Sequence, residues 1–197
     1  FMLEKYFLAA NSCQGFISFF EDAYSVNDDW RAYIIKGGPG TGKSSFMRKI
    51  AAIGEKYGHS PILCPCSSDP DSLDAVIFED KKIIIFDGTP PHTVEPKNFG
   101  ICETIINLSE FLDSNKLMPQ KREILASNAL NKHHHKICSS YLKAAGELIL
   151  EEINREKAHI NSIKLESFAN KLCKKLFSEK SFEKGETTRL ISGITPK

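Results

Sequence analysis

The sequence predicts an α/β fold in which helices cover both faces of a mostly parallel sheet, with a long helical subdomain added. Two short apolar runs of the kind that form buried strands, Arg31–Lys36 and residues 82–86, each end close to a glycine. Helical periodicity follows the first run, and strands that alternate with helices favour a parallel sheet. After Pro119 the chain has no proline and only one glycine up to Lys180, and its apolar residues recur at helical spacing.

The same two periodicities predict the other elements in chain order. A short apolar run predicts a strand over residues 6–10, and apolar residues at helical spacing predict a helix over 14–24. A helix over 43–57 gathers its apolar side chains on one side, and Gly58 is suited to end it. Further strands are predicted at 61–64, 75–78 and 188–194, and a short amphipathic helix at 101–112.

The chain is predicted to divide into three parts. Residues 1–118 would form the core, residues 119–184 a helical subdomain or lid, and residues 185–197 the returning strand of the core. Near-heptad spacing of apolar residues in the helical part indicates two or more long helices that pack on each other.

Composition favours a cytoplasmic protein without a membrane anchor. No apolar run approaches the 18 residues of a transmembrane helix, and the first residues lack a basic leader. Six scattered cysteines in a chain of this size are typical of reduced thiols. Residues 116–197 carry 16 basic and 9 acidic side chains, which indicates either solvated helix faces or an approach to a polyanion. No arginine-rich or mixed aromatic and basic tract favours nucleic acid as a partner.

The most specific motif joins the first buried strand to the helix that follows it. Residues 37–44 fit the pattern G-x-x-x-x-G-K-[ST] without a mismatch. Glycines let successive N–H groups converge on phosphate oxygens, and the start of the helix adds positive potential. Lys43 would neutralise the β and γ phosphates, and Ser44 would offer a hydroxyl to Mg²⁺. The predicted nucleotide-binding residues are Gly37, Gly38, Pro39, Gly40, Thr41, Gly42, Lys43, Ser44 and Ser45.

A metal site of this kind needs a carboxylate at the end of a buried strand, which predicts Asp87 as the partner of Ser44. The alternative role of Asp87 is that of a turn residue before Gly88. Many hydrolysing ATPases place a glutamate directly after this aspartate, so Gly88 leaves the water-activating group unassigned. His92 could contact the γ-phosphate or move a proton. The predicted catalytic residues are therefore Lys43, Asp87 and His92.

Two further features have alternative interpretations. Residues 66–74 are rich in Ser, Asp and Pro and could either bind a substrate or form turns and helix caps. Arg189 could either reach a γ-phosphate or form a structural ion pair.

Several segments together resemble a family of poorly characterised bacterial ATPases with two P-loop domains in tandem. The resemblance is carried by YFLAANSCQGFISFF, IIKGGPGTGKSSFMRKIA, CSSDPDSLDAVIF, IIIFDGTPPHTVEP, ICETIINLSEFLD and RLISGITPK. It implies the three-layer sandwich of P-loop NTPases and ATP binding, and it implies no substrate. The ending RLISGITPK can be laid against the beginning YFLAANSCQ, so residues 185–197 would also start a linker to a second P-loop domain. That domain, or a second copy of the chain, is the predicted protein partner.

The sequence thus predicts an ATP- and Mg²⁺-binding protein, with ATP hydrolysis as the first interpretation. A kinase that transfers the γ-phosphate to a small molecule or nucleotide is the second, because closure of a helical lid would exclude water. A nucleotide sensor that turns over neither substrate is the third.

Overall fold

A computed structural model of the chain describes residues 5–90, 93–177, 189–190 and 192–195. Within these residues the β-strands form two sheets. In chain order the strands are β1 (Ala9–Ser12), β2 (Gly15–Ser18), β3 (Arg31–Lys36), β4 (Ile62–Pro65), β5 (Leu73–Phe78), β6 (Ile83–Asp87), β7 (Glu103–Asn107) and β8 (Ile194–Thr195). The helices are α1 (Lys43–Lys56), α2 (Ser114–Leu117), α3 (Lys121–His159) and α4 (Ser162–Leu176).

The main sheet is mixed, so the predicted mostly parallel P-loop sandwich is wrong. Its five strands run in the order β4-β5-β6-β3-β7. Strand β3 pairs in parallel with β6 and β7, whereas β5 pairs antiparallel with both β4 and β6. Only Glu79–Lys81 and Lys82 connect β5 to β6, and a parallel crossover needs about a dozen residues or more. The short connection therefore forces β5 and β6 into a hairpin.

The layers also differ from the prediction, because two predicted helices are strands. Residues 14–24 form β2 and a short 3-10 turn, Glu21–Ala23. Gly15 has a φ of 114°, which allows the tight turn that pairs β2 antiparallel with β1. Residues 101–112 contain β7, which pairs along the edge of β3. Helix α1 therefore covers one face of the main sheet. A small second sheet, formed by β2, β1 and β8, lies on the opposite side of the main sheet.

Two groups of buried side chains hold these layers together, one on each face of the main sheet. Met47 and Ala51 of α1 pack with Ile35, Val76, Ile85 and other residues of one face. Phe20, Ile34 and Phe86 pack with residues of β1 on the opposite face. Strand β3 contributes to both groups because successive side chains alternate between the faces. Its C-terminal end is thereby fixed from both sides.

The predicted long helices are present, but they do not pack on each other. Helix α3 has 39 residues and α4 has 15, and the chain breaks between them at Ile160 and Asn161. The Asn161 side chain accepts a hydrogen bond from the Lys164 amide at 3.0 Å and caps α4. The two helices make almost no contact along their length. No helix in the described ranges is long and apolar enough to cross a membrane.

The predicted returning strand is reached only in part by the described residues. Residues 178–188, 191 and 196–197 lie outside them, and so does the last part of the predicted helical subdomain. Leu190 forms an antiparallel bridge with Phe7, and β8 pairs in parallel with β1. The end of the described chain thus returns to the small sheet formed with β1 and β2.

A buried carboxylate, Glu103, links the start of β7 to the small-sheet side of the fold. Its oxygens accept hydrogen bonds from the Tyr24 hydroxyl at 2.6 Å and from the amides of Lys97 and Asn98. Burial by itself would raise the pKa of Glu103, but these hydrogen bonds lower it below its ordinary value. Burial and the hydrogen bond to Glu103 raise the pKa of Tyr24.

The lowered pKa predicts a loss of stability in acid. A carboxyl whose folded pKa is depressed stabilises the fold above its unfolded pKa, about 4.5, and this contribution disappears as the pH falls through the folded pKa. Glu103→Gln should therefore lower the free energy of unfolding by about 2–3 kcal/mol at pH 7, since its acceptors are charged and buried. Urea unfolding of both proteins from pH 7 to pH 3 measures this difference. It should shrink below about pH 4.5, and a constant difference would contradict the linkage.

Candidate functional site

The loop of residues 37–42 connects the buried strand β3 to the start of α1, as the motif predicts. Gly40 and Gly42 have φ values of 78° and 84°, which side-chain-bearing residues rarely adopt. An added Cβ at Gly37 would lie 2.6 Å from Thr41 Oγ1, so the chain approaches itself closely there. Gly40 and Gly42 are thus favoured by the backbone conformation, and Gly37 by the space that the Thr41 side chain occupies.

The loop leaves a row of backbone amides open. Thr41 donates its amide and its hydroxyl to the carbonyl of Gly38, at 3.3 and 2.8 Å. No acceptor in the described chain takes a hydrogen bond from the amides of Gly40, Gly42 or residues 43–45. These amides begin a helix of 14 residues, where unsatisfied N–H groups and the helix dipole favour an anion. An added Cβ at Gly40 or Gly42 would meet no atom within 4 Å, so the space beside them is open.

Lys43 lies over the inside of the loop and points toward the end of β6. Its Nζ donates to the carbonyl oxygens of Gly37 and Gly38, at 2.8 and 3.1 Å. It also lies 3.5 Å from Oδ2 of Asp87, and both side chains are largely buried. Asp87 pairs with Ile35 in the parallel ladder, which places the end of β6 beside the end of β3. The lysine and the aspartate that the sequence proposed for one site are therefore brought together.

Asp87 has a second interaction that fixes its carboxylate. Its Oδ1 accepts hydrogen bonds from the amide and the hydroxyl of Thr89. These bonds form the turn after β6, so the predicted alternative role as a turn residue is also present. Because Thr89 binds one oxygen, Oδ2 remains on the side of Lys43.

Ser44 contacts the end of the segment 66–74, which the sequence offered as a possible substrate-binding loop. Its Oγ accepts a hydrogen bond of 2.9 Å from the amide of Leu73, at the start of β5. Asp74 follows Leu73 and is buried. Ala75 pairs with Phe86, so Asp74 and Asp87 occupy neighbouring positions at the same edge of the sheet. The hairpin of β5 and β6 brings them together, although the sequence predicted a parallel sheet at this point.

The donor atoms suit a divalent cation with a phosphate ligand. A hydroxyl oxygen from Ser44 and carboxylate oxygen from Asp87 are hard donors of the kind Mg²⁺ prefers. Open amides, an ammonium group and oxygens of these two types are the groups that magnesium–phosphate complexes use in proteins.

Lys36 organises the loop after β6, and sequence reasoning missed it. Its Nζ donates to the carbonyls of Gly88 and Val94, at 2.9 and 2.8 Å, and to Glu95 at 2.6 Å. The charge that directly follows residues 32–35 (AYII) in the buried strand was the signal that could have found it. Among the predicted catalytic residues, His92 lies outside the described residues, so its placement stays a prediction.

Residues 66–74 and Arg189, for which the sequence left two interpretations each, have structural partners in the fold. Asp69 accepts hydrogen bonds from the Ser72 hydroxyl and the Asp71 amide, which closes its own turn. Arg189 lies 3.3 Å from Glu79 and stacks over the ring of Tyr6. Glu79 follows the end of β5 that is remote from Leu73 and the loop. Arg189 is therefore at the opposite end of the sheet from the predicted phosphate site.

A separate cavity of about 760 Å³ lies on the sheet face away from α1. Its lining includes Tyr24, Trp30, Val94 and the buried Glu103. The loop of residues 37–45 does not line it, so the two features are distinct.

Comparisons with protein families, with curated proteins and with solved structures found no match to this chain.

Proposed function

We propose that this chain binds ATP with Mg²⁺ at residues 37–45 and Asp87, and that it hydrolyses the γ-phosphate. The row of open amides at the start of α1, together with the pair of Lys43 and Asp87, carries the proposal. The resemblance to tandem P-loop ATPases points to the same activity.

The residues have separate roles in this proposal. The open amides of Gly40, Gly42 and residues 43–45 would hold phosphate oxygens, as helix N-termini commonly do. Lys43 would exchange its bonds to the Gly37 and Gly38 carbonyls for bonds to the β and γ phosphates. Ser44 and Asp87 would hold the cation, which when bound neutralises the charge that develops on the phosphate oxygens. Thr89 would keep the Asp87 carboxylate in place.

One observation favours a second candidate, phosphoryl transfer to an acceptor other than water. An added Cβ at Gly88 would lie 2.3 Å from Cγ2 of Ile34, which is fully buried. A water-activating glutamate directly after Asp87 is therefore excluded by space in this fold. Hydrolysis would need a base from another segment, whereas a kinase would position a hydroxyl acceptor instead.

Phosphate release and phosphate transfer separate these candidates. Purified protein with ATP and Mg²⁺ should release inorganic phosphate without an added acceptor if hydrolysis is the activity. Labelled γ-phosphate that appears only in an added metabolite pool, with negligible release, would support the kinase. Failure to bind ATP with Mg²⁺ in calorimetry would overturn both.

Asp87→Asn should weaken Mg²⁺-dependent activity by about 10- to 100-fold, because a neutral amide holds the cation less strongly. The substitution keeps the side-chain volume and an oxygen for the Thr89 amide. The measurement is turnover across a range of Mg²⁺ concentrations. Asp29→Asn, which changes an exposed aspartate before β3, is the matched control and should leave the Mg²⁺ dependence unchanged. Equal activity of the two variants would remove Asp87 from the metal site.

A further inference from the structure

Helix α3 contacts the rest of the fold through one narrow face. Its partly or fully buried residues are Leu142, Gly146, Leu150 and Ile153, which recur every three or four positions. An added Cβ at Gly146 would lie 2.3 Å from Cβ of Cys13. The helix and the turn between β1 and β2 therefore meet closely at this glycine. Every residue from 121 to 141 is exposed. The first half of α3 therefore extends away from the core.

A second apolar stripe runs along the opposite face of the same helix. It consists of Leu130, Ile137, Tyr141 and Leu148, all of them exposed. Ile137 precedes Gly146 by nine residues, or about two and a half turns, so the two project from opposite sides. Spacings of seven and four residues are those of a coiled-coil seam. This outward stripe cannot be satisfied by the core, because the core lies against the other face.

The outward stripe is symmetric about its own centre. Leu130 and Leu148 lie equally far from Ser139, and Ile137 and Tyr141 are also equidistant from it. A second copy of α3 in the antiparallel direction, centred on Ser139, would therefore place Leu130 opposite Leu148 and Ile137 opposite Tyr141. A two-fold interface of this kind uses the same patch on both subunits.

The charges along α3 are complementary in the same antiparallel arrangement. Residues 121–143 carry five Lys or Arg and one Glu, a net charge of +4. Residues 144–159 carry two Lys or Arg and four Glu, a net charge of −2. An antiparallel pair places the basic half of each helix beside the acidic half of the other, whereas a parallel pair places like charges together. Charges beside a coiled-coil seam set its orientation. Glu123 and Arg155 continue the stripe at intervals of seven residues, and the antiparallel pair places each Glu123 opposite Arg155 of the partner subunit.

We propose that this chain forms an antiparallel homodimer through the outward stripe of α3. The partner is a second copy because two antiparallel copies of α3 align their apolar residues with each other. The same arrangement also places the basic half of each helix beside the acidic half of the other. Helix α4 does not fill this role in the fold, since α3 and α4 make almost no contact along their length. The dimer does not depend on nucleotide binding, so variants of this chain with an inactive phosphate loop would also form it.

Leu130→Asp and Leu125→Asp test the stripe with a matched pair. Both leucines lie on α3 and are 57% exposed, but Leu125 lies off the stripe. Sedimentation equilibrium should give the wild type and Leu125→Asp a mass of two chains at micromolar concentration. Leu130→Asp should raise the dimer dissociation constant by about 100-fold, since each dimer would bury two unpaired carboxylates. Leu165→Asp on α4, whose leucine is equally exposed, should remain dimeric.

Cys138 tests the orientation, because it lies next to the proposed two-fold axis and is exposed. In the antiparallel dimer the two copies of Cys138 flank the same side of the seam, so a short bismaleimide should join them. Cys138→Ser should abolish this cross-link, and Cys173→Ser should retain it. A wild type that stays monomeric, a dimer broken by Leu165→Asp but not by Leu130→Asp, or cross-linking that survives Cys138→Ser would each overturn the proposal.

Discussion

Lys43→Ala is expected to abolish turnover of ATP and to weaken its binding by about 100-fold or more. In the structure the Lys43 ammonium is held by the carbonyls of Gly37 and Gly38 and faces Asp87. Two charge-assisted hydrogen bonds to phosphate are worth about 1.5–3 kcal/mol each, and about 1.4 kcal/mol corresponds to a tenfold change. Alanine removes both bonds and leaves the phosphate charge without its counterion. Calorimetric titration with ATP and Mg²⁺, together with phosphate release, measures the two effects.

Lys49→Ala is the matched control for this substitution. Lys49 lies on the same helix six residues after Lys43, and its side chain is exposed. Its replacement should change neither binding nor turnover, and thermal unfolding of both variants should stay within a few degrees of the wild type. If Lys43→Ala keeps full turnover while it remains folded, the phosphates are held elsewhere and the proposed function is wrong.

Phe86→Ala is expected to have the largest effect on stability, a loss of about 3–5 kcal/mol. Phe86 is fully buried in β6, and its ring centroid lies 5.6 Å from that of Phe20 and 6.1 Å from that of Tyr24. Alanine would leave a cavity between the main sheet and the small sheet. Domains of this kind are stable by about 5–15 kcal/mol, so the variant would be marginally folded. Urea unfolding followed by near-ultraviolet circular dichroism measures the change.

Two further substitutions show whether the effect comes from the cavity. Phe86→Leu retains most of the volume and should cost less than about 1.5 kcal/mol. Phe111→Ala removes a ring that is 83% exposed and should change stability by less than about 0.5 kcal/mol. An equal loss for Phe86→Ala and Phe111→Ala would contradict the assignment of Phe86 to the core. Since Phe86 directly precedes Asp87, the cavity variant should also weaken Mg²⁺-dependent activity.

The local elements of the phosphate loop could be predicted from the sequence. Strand β3 has the predicted bounds, and α1 begins at Lys43 and ends one residue before its predicted end. Apolar periodicity and glycine positions encode these features within a few residues of each other. The sequence also proposed Lys43 and Asp87 for one site, whereas their direct contact is a finding of the structure.

The wrong predictions share a cause. Residues 14–24 and 101–112 have apolar residues at spacings that suit a short helix as well as a strand. In the fold, Gly15 turns β2 back onto β1, and β7 completes the edge of β3. Pairing partners that lie far away in sequence decided both cases, and periodicity cannot show such partners. The lengths of the loops on either side of β5 did carry a signal, since they are too short for parallel crossovers.

By itself, the sequence determined the glycine loop, the strand before it and the helix after it, because each depends on neighbouring residues and their backbone preferences. Only the tertiary structure decided that the sheet is mixed, that Leu73 binds Ser44, and that Lys36 holds the loop after β6. It also decided which face of α3 meets Cys13 and which face stays exposed. These features depend on contacts between distant segments, whose free energy is gained only when the whole chain packs.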